Sequence, residues 1–167
     1  MNPQILQTLK TTPLFRYFGD KEDKLAVISS FMKNRFVPRG AVLIREGELG
    51  DEMFILHKGG VEITKTTMEK DQYTVARLNA DDSPFFGELA LLDEDKRSAT
   101  ITAIEDCEVL VLTRGDFVHL GDANPDIGLV LMRQLSKILS HRLRTTNEDV
   151  ILLFEALVNE VTSEEIA

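Results

Sequence analysis

The middle of the chain, from Phe36 to about Thr113, consists of short apolar runs separated by turn residues. The runs are "AVLIREG", "EMFILHKGG", "VEITKTT", "YTVARL", "SATITAI" and "CEVLVLT", and their length and β-branched residues predict strands. "VEIT" and "TITAI" alternate apolar with polar residues, as half-buried antiparallel strands do, whereas "FIL" and "VLVL" predict strands buried on both faces. Such a region predicts a closed antiparallel roll or a sandwich of about eight strands.

Helical patterns flank this region. Before it, apolar residues have helical spacings that Pro13 and Gly19 interrupt, which predicts short N-terminal helices. After Gly128 the sequence has neither glycine nor proline, and Asn124 followed by Pro125 is a typical helix start. The expected fold is therefore mainly β, a roll or sandwich with N-terminal helices and one long C-terminal helix.

Apolar residues of the C-terminal zone recur at spacings of four and three, which makes a heptad seam about 27 Å long. The seam consists of Leu139, Leu143, Thr146, Val150, Leu153 and Leu157. We expect two copies of the chain to pair in parallel, as a homodimer, through residues of about 129–157. An alternative is a break in the helix at "TTNED", because Thr145 and Glu148 match a capping box.

Composition limits the number of domains and the kinds of binding partner. The chain has 167 residues, 43% of them hydrophobic, which suits one core with an appendage. We expect a roll with N-terminal helices over residues 1–122, the long helix over residues 123–161, and a frayed acidic tail over residues 162–167. The core is expected to include Phe15, Phe31, Phe36, Phe54, Phe85 and Phe117. The formal charge of −9 disfavours non-specific attraction to nucleic acid or to an anionic membrane.

Residue types also argue against several classes of chemistry. The single cysteine, Cys107, excludes an internal disulfide, and His57, His119 and His141 lack the spacing of metal ligands. No nucleophile–base pair can be assembled from local spacing, so we expect neither a metal nor catalysis. The first residues, "MNPQILQTLK", lack the apolar stretch of a secretion signal, and no run is long enough to span a membrane. We therefore expect a cytoplasmic protein.

The stretch "SPFFGELALLDEDKRSATITA", residues 83–103, carries the candidate site. Gly87 lets the backbone approach a ligand closely, and a short helix starting at "GELALL" would direct free N–H groups at an anion. Arg97 can neutralise a phosphate with its planar guanidinium, and the Ser98 hydroxyl can complete the oxygen contacts. Glu88 can accept hydrogen bonds from sugar hydroxyls, so that a sugar phosphate meets all these demands. The alternative is a simple ion pair between Glu88 and Arg97 at the rim of the roll.

These residues also carry a family resemblance. The segment "FGELALLDEDKRSAT" resembles the phosphate-binding cassette of cyclic nucleotide-binding domains, and "FVPRGAVLIREGELGDEMFILHKGGVEI" is similar to their first half. "TPLFRYF" resembles their N-terminal helical region, and the resemblance covers about residues 6–147. It implies that the fold is a jelly-roll-like antiparallel β-roll, mainly β, with N-terminal helices and a long C-terminal helix, in agreement with the pattern of strands and helices above.

The resemblance implies roles for individual residues. Glu88 would hold the ribose 2′-hydroxyl, Arg97 the cyclic phosphate and Ser98 one phosphate oxygen. The other contacts expected from the cassette are those of Phe86, Gly87, Leu89, Ala90 and Ala99. The C-terminal zone is similar to the catabolite activator branch of the family, which places Thr146 and Asn147 where the long helix reaches the purine.

The implied function is a cyclic nucleotide-binding sensor module, with cyclic AMP favoured over cyclic GMP by the resemblance to the activator branch. Ligand would shift the long helix between two arrangements and so signal to an effector protein that the sequence does not identify. We expect no direct DNA binding, because "VNEVTSEEIA" cannot form a DNA-reading domain. The alternatives are a non-binding scaffold of the same fold and a regulator of transcription that acts through a partner.

One departure from the family pattern bears on the site. The loop "LNADDSPFFGEL" is about two residues longer than usual, with "ADD" in place of a Gly-Asp turn. Asp81 and Asp82 add negative charge near the expected phosphate, which weakens binding unless both side chains point to solvent. This loop is the main support for the scaffold alternative.

Overall fold

The structure, a computed structural model, describes residues 2–164. The chain divides into two compact units, one that ends at Val130 and one that begins at Leu131. All strands found within residues 2–164 belong to the first unit, and the second unit consists of most of the C-terminal helix. The cassette therefore lies in the first unit, whereas the heptad seam lies in the second.

Short helical elements precede the strands, namely α1 (Pro3–Thr11), a 3₁₀ turn (Arg16–Phe18) and α2 (Glu22–Ser30). The Asn2 side chain caps α1 by accepting a hydrogen bond of 2.9 Å from the Gln4 amide, and Pro3 suits the first turn. The buried apolar residues of these elements and of the connection between the first two are Leu9, Leu14, Phe15, Phe18, Leu25 and Ile28. The prediction of short helices interrupted at Pro13 and Gly19 is confirmed.

Within residues 2–164 eight strands form two antiparallel sheets of four strands each. They are β1 (Lys33–Val37), β2 (Val42–Ile44), β3 (Glu52–Lys58), β4 (Gly60–Thr66), β5 (Gln72–Asn79), β6 (Phe85–Phe86), β7 (Thr100–Ala103) and β8 (Cys107–Thr113). One sheet has the order β1-β8-β3-β6 and the other the order β2-β7-β4-β5. The predicted antiparallel β-roll with flanking helices is confirmed.

The central strands β3 and β8 show why the roll is stable. Phe54 and Leu56 of β3 lie in one hydrophobic cluster with Val109 and Val111 of β8. The alternate residues of the two strands are also buried, namely Met53, Ile55, Leu110 and Leu112. Because successive side chains of a strand point to opposite faces, both faces of this part of the sheet are covered. The prediction of strands buried on both faces is confirmed.

Phe36 does not lie in the core, contrary to expectation. Its side chain is 63% exposed, whereas the next residue, Val37, is buried. The strand β1 forms the edge of its sheet, and alternation along the strand turns Phe36 outward when Val37 faces the core. Phe31 is half-buried and packs edge-to-face against His119, with ring centroids 5.4 Å apart.

Two helices follow the roll, α3 (Arg114–Ala123) and α4 (Pro125–Glu164). Asn124 joins them, because its backbone oxygen accepts hydrogen bonds from the amides of Ile127 and Gly128. Its side-chain amide donates to the backbone oxygen of Leu120, which lies near the end of α3. Asn124 thus starts α4, as predicted, and also ends α3.

The helix α4 continues through "TTNED" without interruption, so the alternative of a break there is wrong. The predicted frayed tail begins within this helix, and its last residues, 165–167, lie outside the described part of the chain. Several apolar side chains of the helix are exposed by 58–71%, among them Leu143, Val150, Leu153 and Leu157 of the seam. No helix among residues 2–164 is long and apolar enough to cross a membrane.

Candidate functional site

The cassette turn, the 3₁₀ helix Glu88–Leu91, follows β6 after one residue, Gly87. Phe86 anchors its start, because β6 pairs with β3 and the Phe86 ring stacks on Phe54 with centroids 5.7 Å apart. Gly87 then takes a φ of +76°, and a Cβ there would lie 2.9 Å from the Ile44 side chain. Glycine is therefore required at this position by both conformation and space.

Arg97 reaches back to the start of the cassette turn. Its Nη1 donates a hydrogen bond of 3.1 Å to the backbone oxygen of Gly87, and its Nη2 donates one of 2.7 Å to that of Glu52. The backbone of Arg97 is fixed by hydrogen bonds of 2.9 Å to Glu48 and Gly47. The guanidinium also passes close to Gly50, where a Cβ would lie 2.6 Å from Nε.

The charge of Arg97 is held in a partly desolvated place. Burial lowers the pKa of its guanidinium below the ordinary value. The carboxylates of Glu52, Asp51 and Glu88 oppose this lowering, whereas the positive charge of Arg114 adds to it. An arginine stays protonated under these conditions, so the site keeps a cation. Within residues 2–164 the hydrogen bonds of Arg97 use two of its five guanidinium N–H groups, which leaves three for a ligand.

Glu88 is the first residue of the cassette turn and is only 5% exposed. A buried carboxylate is costly unless it is paired or hydrogen-bonded, and Glu88 does interact with neighbouring groups. The negative charge of Glu88 raises the pKa of Arg97 and so partly offsets the lowering by burial. A buried carboxylate and a guanidinium therefore lie in the same small region.

The other residues of the predicted site fall into two groups. Leu89 is 44% exposed and Ala90 is buried in the cassette turn, whereas the exposed Ser98 and half-buried Ala99 lie just before β7. The cassette residues and Arg97–Ala99 thus belong to one unit, the first. Thr146 and Asn147 are exposed residues of α4 in the second unit.

The lengthened loop folds into a turn of its own. Residues Ala80–Asp82 form a 3₁₀ turn, and both Asp81 and Asp82 are exposed to solvent. Ser83 follows in a left-handed conformation with a φ of +45°, and its hydroxyl lies 2.7 Å from that of Thr11 in α1. Because both acidic side chains are exposed to solvent, their charges are not expected to weaken phosphate binding at the predicted site.

Comparison with known proteins assigns the family. The profile of the family described as "Cyclic nucleotide-binding domain" matches residues 34–124, more than half of the chain. The chain belongs to the cyclic nucleotide-binding domain family. The predicted membership is thereby confirmed, and with it the expectation of a regulatory binding domain.

Relatives of this cyclic nucleotide-binding domain occur in several kinds of protein. It is 33% identical to the cyclic AMP receptor protein of Thermus thermophilus, over 92% of this chain and 68% of that protein. It is 37% identical to a cyclic nucleotide-gated potassium channel of Rhizobium etli, over 72% of this chain and 31% of the channel. The chain thus spans about a third of the channel's length.

Solved structures agree with the fold. The crystal structure of the Thermus thermophilus catabolite activator protein is similar with a TM-score of 0.75 and 31% identity, over 84% of this chain and 62% of that one. A cyclic nucleotide-binding domain from Methylobacillus flagellatus also has a TM-score of 0.75, with 26% identity over 89% of this chain and 81% of that one. The described roll and helices are those of the family.

Two features of the cyclic nucleotide-binding domain escaped the sequence analysis. Arg35 binds the Glu52 carboxylate through both terminal nitrogens, at 2.9 and 2.5 Å, and this contact lowers the pKa of Glu52 below its ordinary value. Arg114 binds one backbone oxygen within the cassette turn and one backbone and one side-chain oxygen just after it. No local motif signals either contact, because the partners lie 17 or more residues apart in the sequence.

Proposed function

We propose that the chain is a cyclic nucleotide sensor that binds cyclic AMP in preference to cyclic GMP. The observation that carries the proposal is the hydrogen bond from Arg97 to Gly87, the residue directly before the buried Glu88. It supports a site in which the Arg97 guanidinium binds the cyclic phosphate and the Glu88 carboxylate accepts the ribose 2′-hydroxyl. No catalytic step is part of the proposal.

The partial burial of Arg97 suits a phosphate contact. A guanidinium that is already partly desolvated pays less additional desolvation when it meets an anion. Its three remaining N–H groups can bind phosphate oxygens in a charge-assisted way. The exposed hydroxyl of Ser98, next in the sequence, can donate one further hydrogen bond.

The preference for cyclic AMP rests on similarity rather than on hydrogen-bonding capacity. Thr146 and Asn147 are proposed to meet the purine, but a hydroxyl and an amide can each donate and accept. They therefore do not by themselves separate adenine from guanine. The similarity to a protein named cyclic AMP receptor protein favours adenine.

The proposed output is a change in the arrangement of α4. Exposed leucines and valines along its seam support pairing with a second copy of the chain. Ligand would shift the population between two arrangements of the paired helices, which an effector protein would detect.

We place the sensor in the reducing cytoplasm, where a buried free thiol such as that of Cys107 persists. With a net charge of −9, we propose that this chain itself does not contact DNA.

Calorimetric titration of the full chain with cyclic AMP and with cyclic GMP tests the proposal. We expect heat from both nucleotides and the tighter binding from cyclic AMP. Heat from neither would identify a non-binding scaffold of the same fold. Tighter binding of cyclic GMP would reverse the proposed preference but keep the sensor.

A further inference from the structure

Arg114, the first residue of α3, holds the far end of the cassette turn. Its Nε donates a hydrogen bond of 2.8 Å to the backbone oxygen of Ala90, and its Nη2 donates one of 2.6 Å to that of Asp93. Its Nη1 meets the Glu94 carboxylate at 2.7 Å. All three guanidinium nitrogens thus bind one stretch of five residues, and the side chain is only 23% exposed.

The two arginines of this region hold opposite ends of the same turn. Arg97 binds the oxygen of Gly87, just before the turn, whereas Arg114 binds the turn near its end. Both also reach the start of β3, because Arg97 Nη2 binds the oxygen of Glu52 and the Arg114 amide binds that of Asp51, each at 2.7 Å. The two guanidinium groups therefore bind opposite ends of the cassette turn, and both arginines are also hydrogen-bonded to the start of β3.

The contact with Ala90 cannot easily be replaced by water. The last carbonyl groups of a short helix have no partner within it and need one outside. Ala90 is only 4% exposed, so removal of the Arg114 side chain would leave a buried acceptor without its donor. The turn would then shift or loosen, and Glu88 lies at its other end.

We propose that Arg114 is a positioning residue for the cyclic nucleotide. It fixes the cassette turn so that Glu88 meets the ribose 2′-hydroxyl, and it ties the position of the turn to the start of α3. This inference rests on the proposed function and adds a residue that does not touch the ligand. Its effect should be specific for the ribose contact, because Arg114 acts on the segment that carries Glu88.

A lysine at this position separates the effect of charge from that of hydrogen bonding. Arg114→Lys keeps the positive charge near the phosphate but cannot bind three separate acceptors in the plane of a guanidinium. Arg114→Ala removes both. Arg77 offers a matched control, because its ion pair with Glu62 is on the other sheet and its side chain is 70% exposed.

The test is a calorimetric titration of the full-length wild type, Arg114→Lys, Arg114→Ala and Arg77→Ala with cyclic AMP and with its 2′-deoxy analogue. For Arg114→Lys we expect cyclic AMP affinity to fall about five- to tenfold while the affinity for the analogue stays within about twofold. Arg114→Ala should weaken both ligands, cyclic AMP more than the analogue. Arg77→Ala should match the wild type.

Hydrogen exchange of the backbone amides of residues 87–94, without ligand, supplies a second measurement. Both Arg114 variants should exchange faster there than the wild type, whereas Arg77→Ala should not. Unchanged exchange, or equal losses for both ligands in Arg114→Lys, would overturn the inference while the wild type still binds. If the wild type binds no cyclic nucleotide, the proposed function fails and the ligand role of Arg114 fails with it.

Discussion

Arg97 donates a hydrogen bond of 3.1 Å from Nη1 to the backbone oxygen of Gly87, the residue directly before the cassette turn. The cation proposed to meet the phosphate therefore also holds the backbone that carries Glu88. A ligand that draws Arg97 toward its phosphate would act on the cassette turn through this bond. Phosphate binding and ribose binding are expected to support each other for that reason.

Replacement of Glu88 tests whether its carboxylate binds the ribose 2′-hydroxyl. We expect Glu88→Ala to weaken cyclic AMP by roughly ten- to hundredfold, since hydrogen bonds to charged groups contribute about 1.5–3 kcal/mol. The affinity for the 2′-deoxy analogue should hardly change. Asp82→Ala is the matched control, because this acid is exposed in the preceding turn. Equal losses for both ligands, measured by calorimetry, would show that Glu88 does not hold the hydroxyl.

A methyl group at Gly50 should disturb Arg97 without unfolding the roll. A Cβ there would lie 2.6 Å from Nε and 2.7 Å from Nη2 of Arg97, a flexible side chain that can move aside. Gly50→Ala should therefore weaken the bond to the Glu52 oxygen and reduce cyclic AMP affinity about three- to tenfold. Gly115→Ala is the control, because the nearest atom would be 3.9 Å away. Wild-type affinity in Gly50→Ala would show that the Arg97 position seen here is not needed for binding.

The ion pair of Glu52 with Arg35 should make stability depend on pH. The pKa of Glu52 is lowered in the folded state by hydrogen bonding to Arg35, so the stabilisation is present above the unfolded pKa of about 4.3 and is lost as pH falls through the lower folded value. At pH 6 we expect Glu52→Gln to reduce the free energy of unfolding by about 0.5–1 kcal/mol, because the pair is partly exposed. The difference should shrink below pH 4. Urea unfolding of the wild type and of Glu52→Gln at several pH values measures this difference. A difference in the free energy of unfolding that is the same at pH 6 and below pH 4 would contradict the prediction.

The sequence predicted the roll, the helices and the cassette because these depend on local patterns. Alternation marks the strands, and glycine at position 87 follows from the turn that it makes. The exposure of Phe36 could not be predicted, because the edge position of β1 depends on how the whole sheet assembles. The same holds for Arg114, whose acceptors at Ala90 and Asp93 are distant in the sequence and are backbone atoms that leave no residue-type signal.

The apolar seam of α4 should join two copies of the chain. Leu143 and Leu153 are 62% and 71% exposed, and two glutamates there would place like charges inside the interface. Analytical ultracentrifugation should therefore show a dimer for the wild type and a monomer for Leu143→Glu combined with Leu153→Glu. The matched control, Thr145→Glu with Leu152→Glu, adds the same charges off the seam and should remain dimeric. A dimer in the seam variant would show that another surface pairs the chains.

Loss of the Arg97 side chain should mainly reduce ligand affinity, whereas loss of the Thr146 hydroxyl should mainly reduce signalling. Truncation of one partner of a buried, hydrogen-bonded charge pair costs on the order of 2–5 kcal/mol, so Arg97→Ala should reduce cyclic AMP affinity roughly thirtyfold to several thousandfold. The neutral hydroxyl of Thr146 should cost about 0.5–1.5 kcal/mol, or roughly two- to tenfold. Thr146 should nevertheless matter more for signalling, because it lies on the helix proposed to move.

Titration of both variants, combined with limited proteolysis of α4, separates binding from its consequence. We expect ligand to protect α4 in the wild type and in Arg97→Ala at saturating ligand, but not in Thr146→Ala even when the site is full. Thr145→Ala, the neighbouring threonine off the seam, should behave as the wild type. A larger loss of affinity in Thr146→Ala than in Arg97→Ala would mean that Arg97 does not bind the phosphate, and the interpretation of the cassette would be wrong.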